Sequence, residues 1–414
     1  MGALEGDGLP ELRVFGERLK EADADFATDC RHFRGDRPCV HGRLCPGCEH
    51  HAPYRHRVCV IKLGALGDVI RTLSILPQMR RLYDDAHVTW VSRPDGCRMI
   101  RDHPLIDRTL SFDAISAMLL QQERFDLVIC LDKEPQPCAL ASAIKAPLKL
   151  GLGLSPEGKP IPLNREARAY FRLGLSNELK FIDNRKSYPR LIHEALGWGY
   201  DGQRYELPVD PQRRHEQRRI LGAKGWRDDL PTLGINVGAA KTFANKMWPP
   251  GRIVQLIHHI RQRQVRLQIL LLGGRGEGPI VDRILRHTSA DVAVGGGIDA
   301  GTDHDEPSFV ALVDACDVVF SGDTMAMHVA VALGKGVVVF FGPTCPQEID
   351  LFGRGEKLVA RTPCAPCYKR VCDSADICLQ AVPVADAVAA IERVLKRNAC
   401  REFTTDVRRI GQAA

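Results

Sequence analysis

Residues 58–83, VCVIKLGALGDVIRTLSILPQMRRLY, decide the fold. VCVIKLG is a short apolar run closed by glycine, the pattern of a strand buried on both faces. GALGD follows, and then VIRTLSILPQMRRLY with apolar residues at helical spacing. A buried strand that turns on glycines into a helix opens a parallel α/β sheet. HVTWVSR, FDLVICLD and KLGLG read as further strands, and ELPVDPQRRHEQRR as a connection leading into a helix. The pattern restarts with LPTLGINVG. A helix near Pro249–Arg263, strand VRLQILLLGG, a helix over Pro279–His287 and strand VAVGGG come next. Helix Pro307–Cys316, strand DVVFSGD, helix Thr324–Leu333 and strand GVVVFFG complete the series. The expected architecture is α/β: two Rossmann-like, doubly wound domains over 56–205 and 206–385, facing a cleft. An N-terminal extension occupies 1–55, and a C-terminal helix over 386–414 is expected to pack back across the first domain. In such sheets ligands bind outside the carboxyl ends of the strands, so the cleft is the expected site.

The chain has 414 residues, 44% of them apolar and 26% charged, as in a globular protein. One hydrophobic core rarely grows past about 250–300 residues, which fits two domains plus an appendage. No run approaches the ~20 apolar residues of a membrane-spanning helix. The N-terminus is acidic and lacks the apolar core of a signal peptide, so a cytoplasmic protein is expected. The net charge of +6 is uneven. Residues 1–29 carry eight acids against three bases, and residues 30–57 carry six Arg and five His against two acids. The first stretch is expected to hold an amphipathic helix around Leu9–Ala24. A modest positive balance suits an anionic acceptor or an anionic membrane surface. It is too weak to argue for a nucleic-acid binder, although the Arg- and Cys-rich residues 30–57 raise that idea.

Four strand-end loops carry the chemistry. In Lys62-Leu63-Gly64-Ala65-Leu66-Gly67-Asp68, Gly64 and Gly67 let the backbone turn tightly near a ligand, and Asp68 stands at the helix start. Its functional reading is a carboxylate facing the cleft; its structural reading is a helix N-cap. The loop 238–250, GAAKTFANKMWPP, offers Lys241 and Lys246 ahead of a Trp-Pro helix start, suited to a diphosphate or simply solvated. In Leu272-Gly273-Gly274-Arg275-Gly276-Glu277, a glycine turn centred on Gly274 precedes Glu277, which either accepts ribose hydroxyls or complements the helix dipole. In the last loop, Asp323 and Thr324 open a helix whose free N–H groups suit a phosphate, with Met325 in its first turn and His328 one turn further in. His328 reads equally as a packed core histidine.

Fifteen cysteines are many for a cytosolic chain, where disulfides are rare. Cys30, Cys39, Cys45 and Cys48 form one set, in which His32 or His41 can replace a thiolate. Cys364, Cys367, Cys372 and Cys378 form a compact second set. Each reads as a structural metal site for zinc, iron or an iron–sulfur cluster, or else as free thiols. No cofactor is expected in catalysis itself.

Taken together, IKLGALGDVIRTLSILP, GAAKTFANKMWPP, LLLGGRGEGPIVDRI and SGDTMAMHVAVALGKGVVVFFGPTCP resemble glycosyltransferase family 9, the heptosyltransferases, and occur in that family's order over residues 58–346. The resemblance implies a GT-B fold and inverting transfer of a heptose from an ADP-sugar to lipopolysaccharide core or another surface glycan. It implies Asp68 as general base, Lys246 on the donor phosphates, Glu277 near the nucleoside, and Asp323 and His328 in the donor site. Met325 departs from the family, which usually has glycine there. The second cysteine set also resembles the iron-binding finger of protein-modifying heptosyltransferases. The competing readings are a GT-B enzyme that uses another nucleotide sugar or glycosylates a protein, and a metal-stapled adaptor without activity.

Overall fold

The computed structural model describes residues 25–239, 241–288, 297–374 and 377–411. The helix expected around Leu9–Ala24 and most of the expected strand VAVGGG lie outside the described residues. Among those described, twelve strands form two six-stranded sheets. The first contains β1 (His56–Ile61), β2 (Ala86–Ser92), β3 (Arg108–Ser111), β4 (Leu127–Cys130), β5 (Leu148–Leu154) and β6 (Pro160–Pro162), in the order β3-β2-β1-β4-β5-β6. The second contains β7 (Thr232–Asn236), β8 (Gln268–Leu272), β9 (Gly297–Asp299), β10 (Val318–Gly322), β11 (Gly336–Phe341) and β12 (Gly355–Val359), in the order β12-β11-β10-β7-β8-β9.

Both sheets are parallel apart from β6, which runs antiparallel on β5 at the edge, where its two prolines leave no central ladder bond unmade. β1 lies between β2 and β4, and β7 between β8 and β10. The strand order therefore reverses at the carboxyl ends of β1/β4 and of β7/β10, the two places where such sheets open a crevice. Val58, Cys59, Val60 and Ile61 of β1 are fully buried, as are Val318, Val319 and Phe320 of β10, which is why these strands read as unbroken apolar runs.

The domains meet through two short helices. Helix Leu66–Thr72 follows β1, helix Met325–Ala332 follows β10, and the two pack together. Gly67 sits at the contact: a Cβ there would stand 2.5 Å from Cδ2 of His328, so only glycine permits this approach. Arg98 adds a bidentate pair to Glu306 across the domains, at 2.7 and 2.8 Å.

The C-terminal helix requires a correction. It runs Val384–Gly411, and its described side chains pack on the second sheet and on helix Pro250–Gln262 rather than back across the first domain. Val384, Ala387, Val388, Ile391 and Val394 are buried in the second domain's core, which gives the physical reason. The expected boundary at 385/386 therefore divides one packing unit.

Residues 25–55 form turns closed on themselves by an isolated antiparallel bridge between Cys30 and Pro53, and are joined to the first domain by Arg31, which donates to Asp107 at 2.6 Å and to the Ala86 carbonyl at 3.3 Å.

Candidate active site

β1 and β4 end side by side, and their ends fasten the first loop. The buried Asp132, just past β4, accepts hydrogen bonds from Lys62 Nζ, from the Leu63 amide and, at 3.2 Å, from the Gly64 amide. Burial opposes the charge on Lys62, but Tyr188, Asp132 and Asp68 outweigh it and hold the ammonium well above its ordinary range. Gly64 thus acts inside the loop anchor; it does not line the cleft, whereas Gly67 does.

Asp68 stands in the first turn of helix Leu66–Thr72, but Ala65 is the N-cap and no side chain caps this helix. The carboxylate instead meets Arg71 Nη2 at 2.7 Å, one turn on. Burial pushes its pKa up, yet the opposing positive field of Arg71, Lys62, His328 and Lys246 wins and holds it well below the usual carboxylate range. Lys62 and Arg71 belong to the same domain as Asp68; His328 and Lys246 reach it from the other.

The second domain contributes the facing wall. Asn236, at the end of β7, donates to the Thr324 hydroxyl at 3.2 Å and to Ser321 at 3.3 Å, and so ties together the strand ends at the β7/β10 crevice. Thr324 is the N-cap of helix Met325–Ala332 and makes no side-chain capping bond, which leaves the first amides of that helix facing the cavity. Lys246 Nζ lies 3.3 Å from Asp323 Oδ2, and His328 Nε2 lies 3.7 Å from Asp323 Oδ1. Burial again works against the Asp323 carboxylate, but Lys246, then His328 and Arg71, hold its pKa down. His328 is 4% exposed, within 3.3 Å of the Tyr205 hydroxyl, and burial followed by Arg71 pushes its pKa to about 4, so it is neutral at pH 7. It is therefore a packed histidine that also borders the cleft. Gly322 explains how the Lys246 loop reaches so close: a Cβ there would fall 2.3 Å from the Lys246 carbonyl oxygen.

Glu277 folds back to accept from the Gly274 amide, and burial raises its pKa. Its carboxylate lies where a Cβ on Gly238 would be, 2.2 Å away, so Gly238 is what admits it between the two loop ends.

All of these converge on one cavity of about 740 Å³. Gly67, Asp68 and Arg71 line it from the first domain, and Lys246, Gly274, Glu277, Asp323, Thr324, Met325 and His328 from the second. A volume of this size suits a small-molecule ligand. Sequence reasoning missed Asn236, Arg71, Glu348 and Tyr368, which also line it. Arg71 had a signal, three residues after Asp68 on a helix, and Asn236 stood at the end of a strand that was read; Glu348 and Tyr368 had none, because they arrive from distant loops.

The cysteine sets lie outside this cavity. Cys30, Cys39, Cys45 and Cys48 line a separate pocket of about 360 Å³ with His32, His41, His50 and His51. Among the described residues all cysteines are unpaired, and no group of three or more His, Cys, Asp or Glu is arranged to hold a metal ion. Burial first, and then Cys364, Cys367 and Cys372, raise the pKa of the Cys378 thiol, so the four thiols of the second set lie within one another's field; no chemical step is derived through a metal.

The geometry has counterparts of known family. A family model for glycosyltransferase family 9 (heptosyltransferase) matches residues 117–377. The chain is 22% identical over 306 residues to lipooligosaccharide heptosyltransferase 2 of Haemophilus ducreyi, covering 70% of this chain and 84% of that protein. It is 24% identical over 315 residues to the lipopolysaccharide core heptosyltransferase OpsX of Haemophilus influenzae, covering 73% and 84%. The fold superposes on the glycosyl transferase family 9 structure from Veillonella parvula with a TM-score of 0.66 at 18% identity, over 83% of this chain and 98% of that one. For the E. coli ADP-heptose lps heptosyltransferase II the TM-score is 0.62 at 16% identity, over 83% and 99%. With the family model spanning more than half its length and its two sheets in the GT-B arrangement, this chain belongs to glycosyltransferase family 9 and is a glycosyltransferase.

Proposed function

We propose that the enzyme transfers a heptose or a related sugar from an ADP-sugar to lipopolysaccharide core or another surface glycan, with inversion at the anomeric carbon. One observation carries this reading: the Asp68 carboxylate on one domain and Lys246 with the Thr324 helix start on the other border the same cavity. The acceptor hydroxyl oxygen attacks the anomeric carbon and its proton passes to Asp68. The bond from that carbon to the diphosphate breaks, and ADP leaves with the electron pair. Lys246 and the free amides at the start of helix Met325–Ala332 stabilise the departing charge. Asp323 is itself an anion, so its part is to orient Lys246 and His328 rather than to touch phosphate. The heptosyltransferases among the relatives support heptose as the sugar. A glycolipid acceptor would bring the first domain to the inner face of the cytoplasmic membrane, and the exposed Leu175, Leu179 and Ile182 suit such contact. Among the described residues no helix is long and apolar enough to cross a membrane.

Calorimetric titration with ADP-heptose and with GDP- and UDP-sugars tests the donor. Selective binding of ADP-heptose, together with transfer that falls by ~10²–10⁴-fold in Asp68→Asn, is the expected result. Preference for another nucleotide would retire heptose, and an Asp68→Asn enzyme with near-normal turnover would retire the base. Structural zinc or iron at the two cysteine sets is a separate part of the proposal. Elemental analysis of the purified full chain tests it: near-stoichiometric metal, lost on Cys→Ser substitution, supports it, and metal-free folded protein refutes it.

A further inference from the structure

The segment that carries Cys364, Cys367 and Cys372 also delivers Tyr368 to the cleft. The amides of Cys367 and Tyr368 both donate to the Pro343 carbonyl, at 3.1 and 2.8 Å. The Lys369 carbonyl accepts from Asn245 at 2.7 Å. The segment is thereby tied to the end of β11 and to the loop that holds Lys246. Tyr368 itself has φ of +52°, a left-handed conformation that a bulky residue keeps only where its surroundings hold it.

Two sets of contacts provide that hold. The Tyr368 ring stacks on Phe181 of the first domain, with centroids 5.2 Å apart and planes within 7°, and Lys180 Nζ lies 3.8 Å from the ring centre. Its hydroxyl accepts from the Cys345 amide at 3.3 Å and donates to Glu348 Oε2 at 3.3 Å. Glu348 lies 4.0 Å from Arg71 Nη1, while Arg71 Nη2 holds Asp68 at 2.7 Å. Tyr368, Lys180, Glu348, Arg71 and Asp68 all line the main cavity. The contacts thus run without a break from the cysteine segment to the carboxylate read above as the base.

We propose that Tyr368 is a positioning residue for catalysis, which keeps Arg71 on Asp68 through Glu348 and holds the acceptor wall through Phe181 and Lys180. The inference rests on Asp68 being the base. The physical argument is competition for one guanidinium. With its carboxylate satisfied by the tyrosine hydroxyl, Glu348 leaves Arg71 to Asp68. Without that hydroxyl, Glu348 turns to the guanidinium beside it and draws it away.

The test uses the full chain with Tyr368→Phe and Tyr368→Ala, followed by hydrogen exchange, ADP binding and transfer kinetics. In Tyr368→Phe, kcat should fall about tenfold, the size expected for a lost hydrogen bond to a charged group, with acceptor KM nearly unchanged. The acidic limb of kcat/KM should move to higher pH. In Tyr368→Ala, acceptor KM should also rise about tenfold with the lost aromatic and cation contacts. Amides over 66–72 and 179–183 should exchange faster while ADP affinity and melting temperature hold. Wild-type exchange in Tyr368→Ala together with wild-type kcat and pH profile in Tyr368→Phe would overturn the proposal. Uniform losses in kcat, KM and ADP affinity that track a fall in melting temperature would also overturn it, since they signify packing alone. A wild-type protein that transfers no sugar counts against the transferase reading, and the exchange data then decide the Tyr368 contacts by themselves.

Discussion

Asp68 and Arg71 show how much one residue's neighbours change its chemistry. As a surface carboxylate Asp68 would titrate near its ordinary range; beside Arg71 and under the field of Lys62, His328 and Lys246 it stays ionised far below that range. The sign of the consequence is definite. Removing Arg71 removes a charge that lowers the pKa and leaves burial, which raises it, less opposed. In Arg71→Gln the acidic limb of kcat/KM should therefore move upward from below pH ~4, so that activity falls away at a higher pH than in wild type. An acidic limb left at the wild-type pH would mean that Arg71 does not set it. Asp68 was legible in the sequence because a carboxylate after a strand-end glycine turn has few places to point. That it is not the cap was not legible, because Ala65 is the N-cap here and cap geometry cannot be read from residue type. His328 illustrates the reverse case: both readings of it hold, since it is buried and also borders the cavity.

At the scale of elements, the long apolar strands were readable and the marginal ones were not. β1, β2, β4, β8, β10 and β11 are buried on both faces and show it in composition. β3, β6 and β12 are half-exposed and short, so they lack the apolar run, and β6 contains two prolines. The loops were legible by their glycines, but the reasons for those glycines were not. Gly67 serves the contact between domains more than any phosphate: it makes room for His328. Gly67→Ala should force the two helices apart by about an ångström or more, since a real Cβ contact needs over ~3.4 Å. We expect kcat/KM for both substrates to fall at least tenfold, roughly the cost of misplacing reacting groups by such a distance, with far-UV circular dichroism unchanged. Equal activity in Gly67→Ala would show that the helices are free to separate without harm to the site.

At the scale of the molecule, two sheets were expected and two are present, but the placement of the last helix was not recoverable from its amphipathic pattern. A pattern reports that a helix has an apolar face and is silent on which surface receives it. Here the second sheet receives it, burying Val388, Ile391 and Val394. Each such side chain contributes about 1.5–3 kcal/mol, so their loss together approaches the ~5–15 kcal/mol by which whole domains are stable. Truncation before residue 384 should therefore leave a chain that aggregates or melts early and binds no ADP. A soluble truncated protein that still binds ADP would place the helix outside the core.

The electrostatic field on Asp68 comes partly from across the cleft, from Lys246. Proton affinity and domain closure are then two sides of one equilibrium, because each must alter the other by the same free energy. While Asp68 is ionised, its charge draws the facing wall inward. If Asp68 takes the acceptor's proton, as proposed, that attraction ends and the cleft is loosest at the moment when two products have to leave. The same carboxylate that starts the transfer would in this way also time the release.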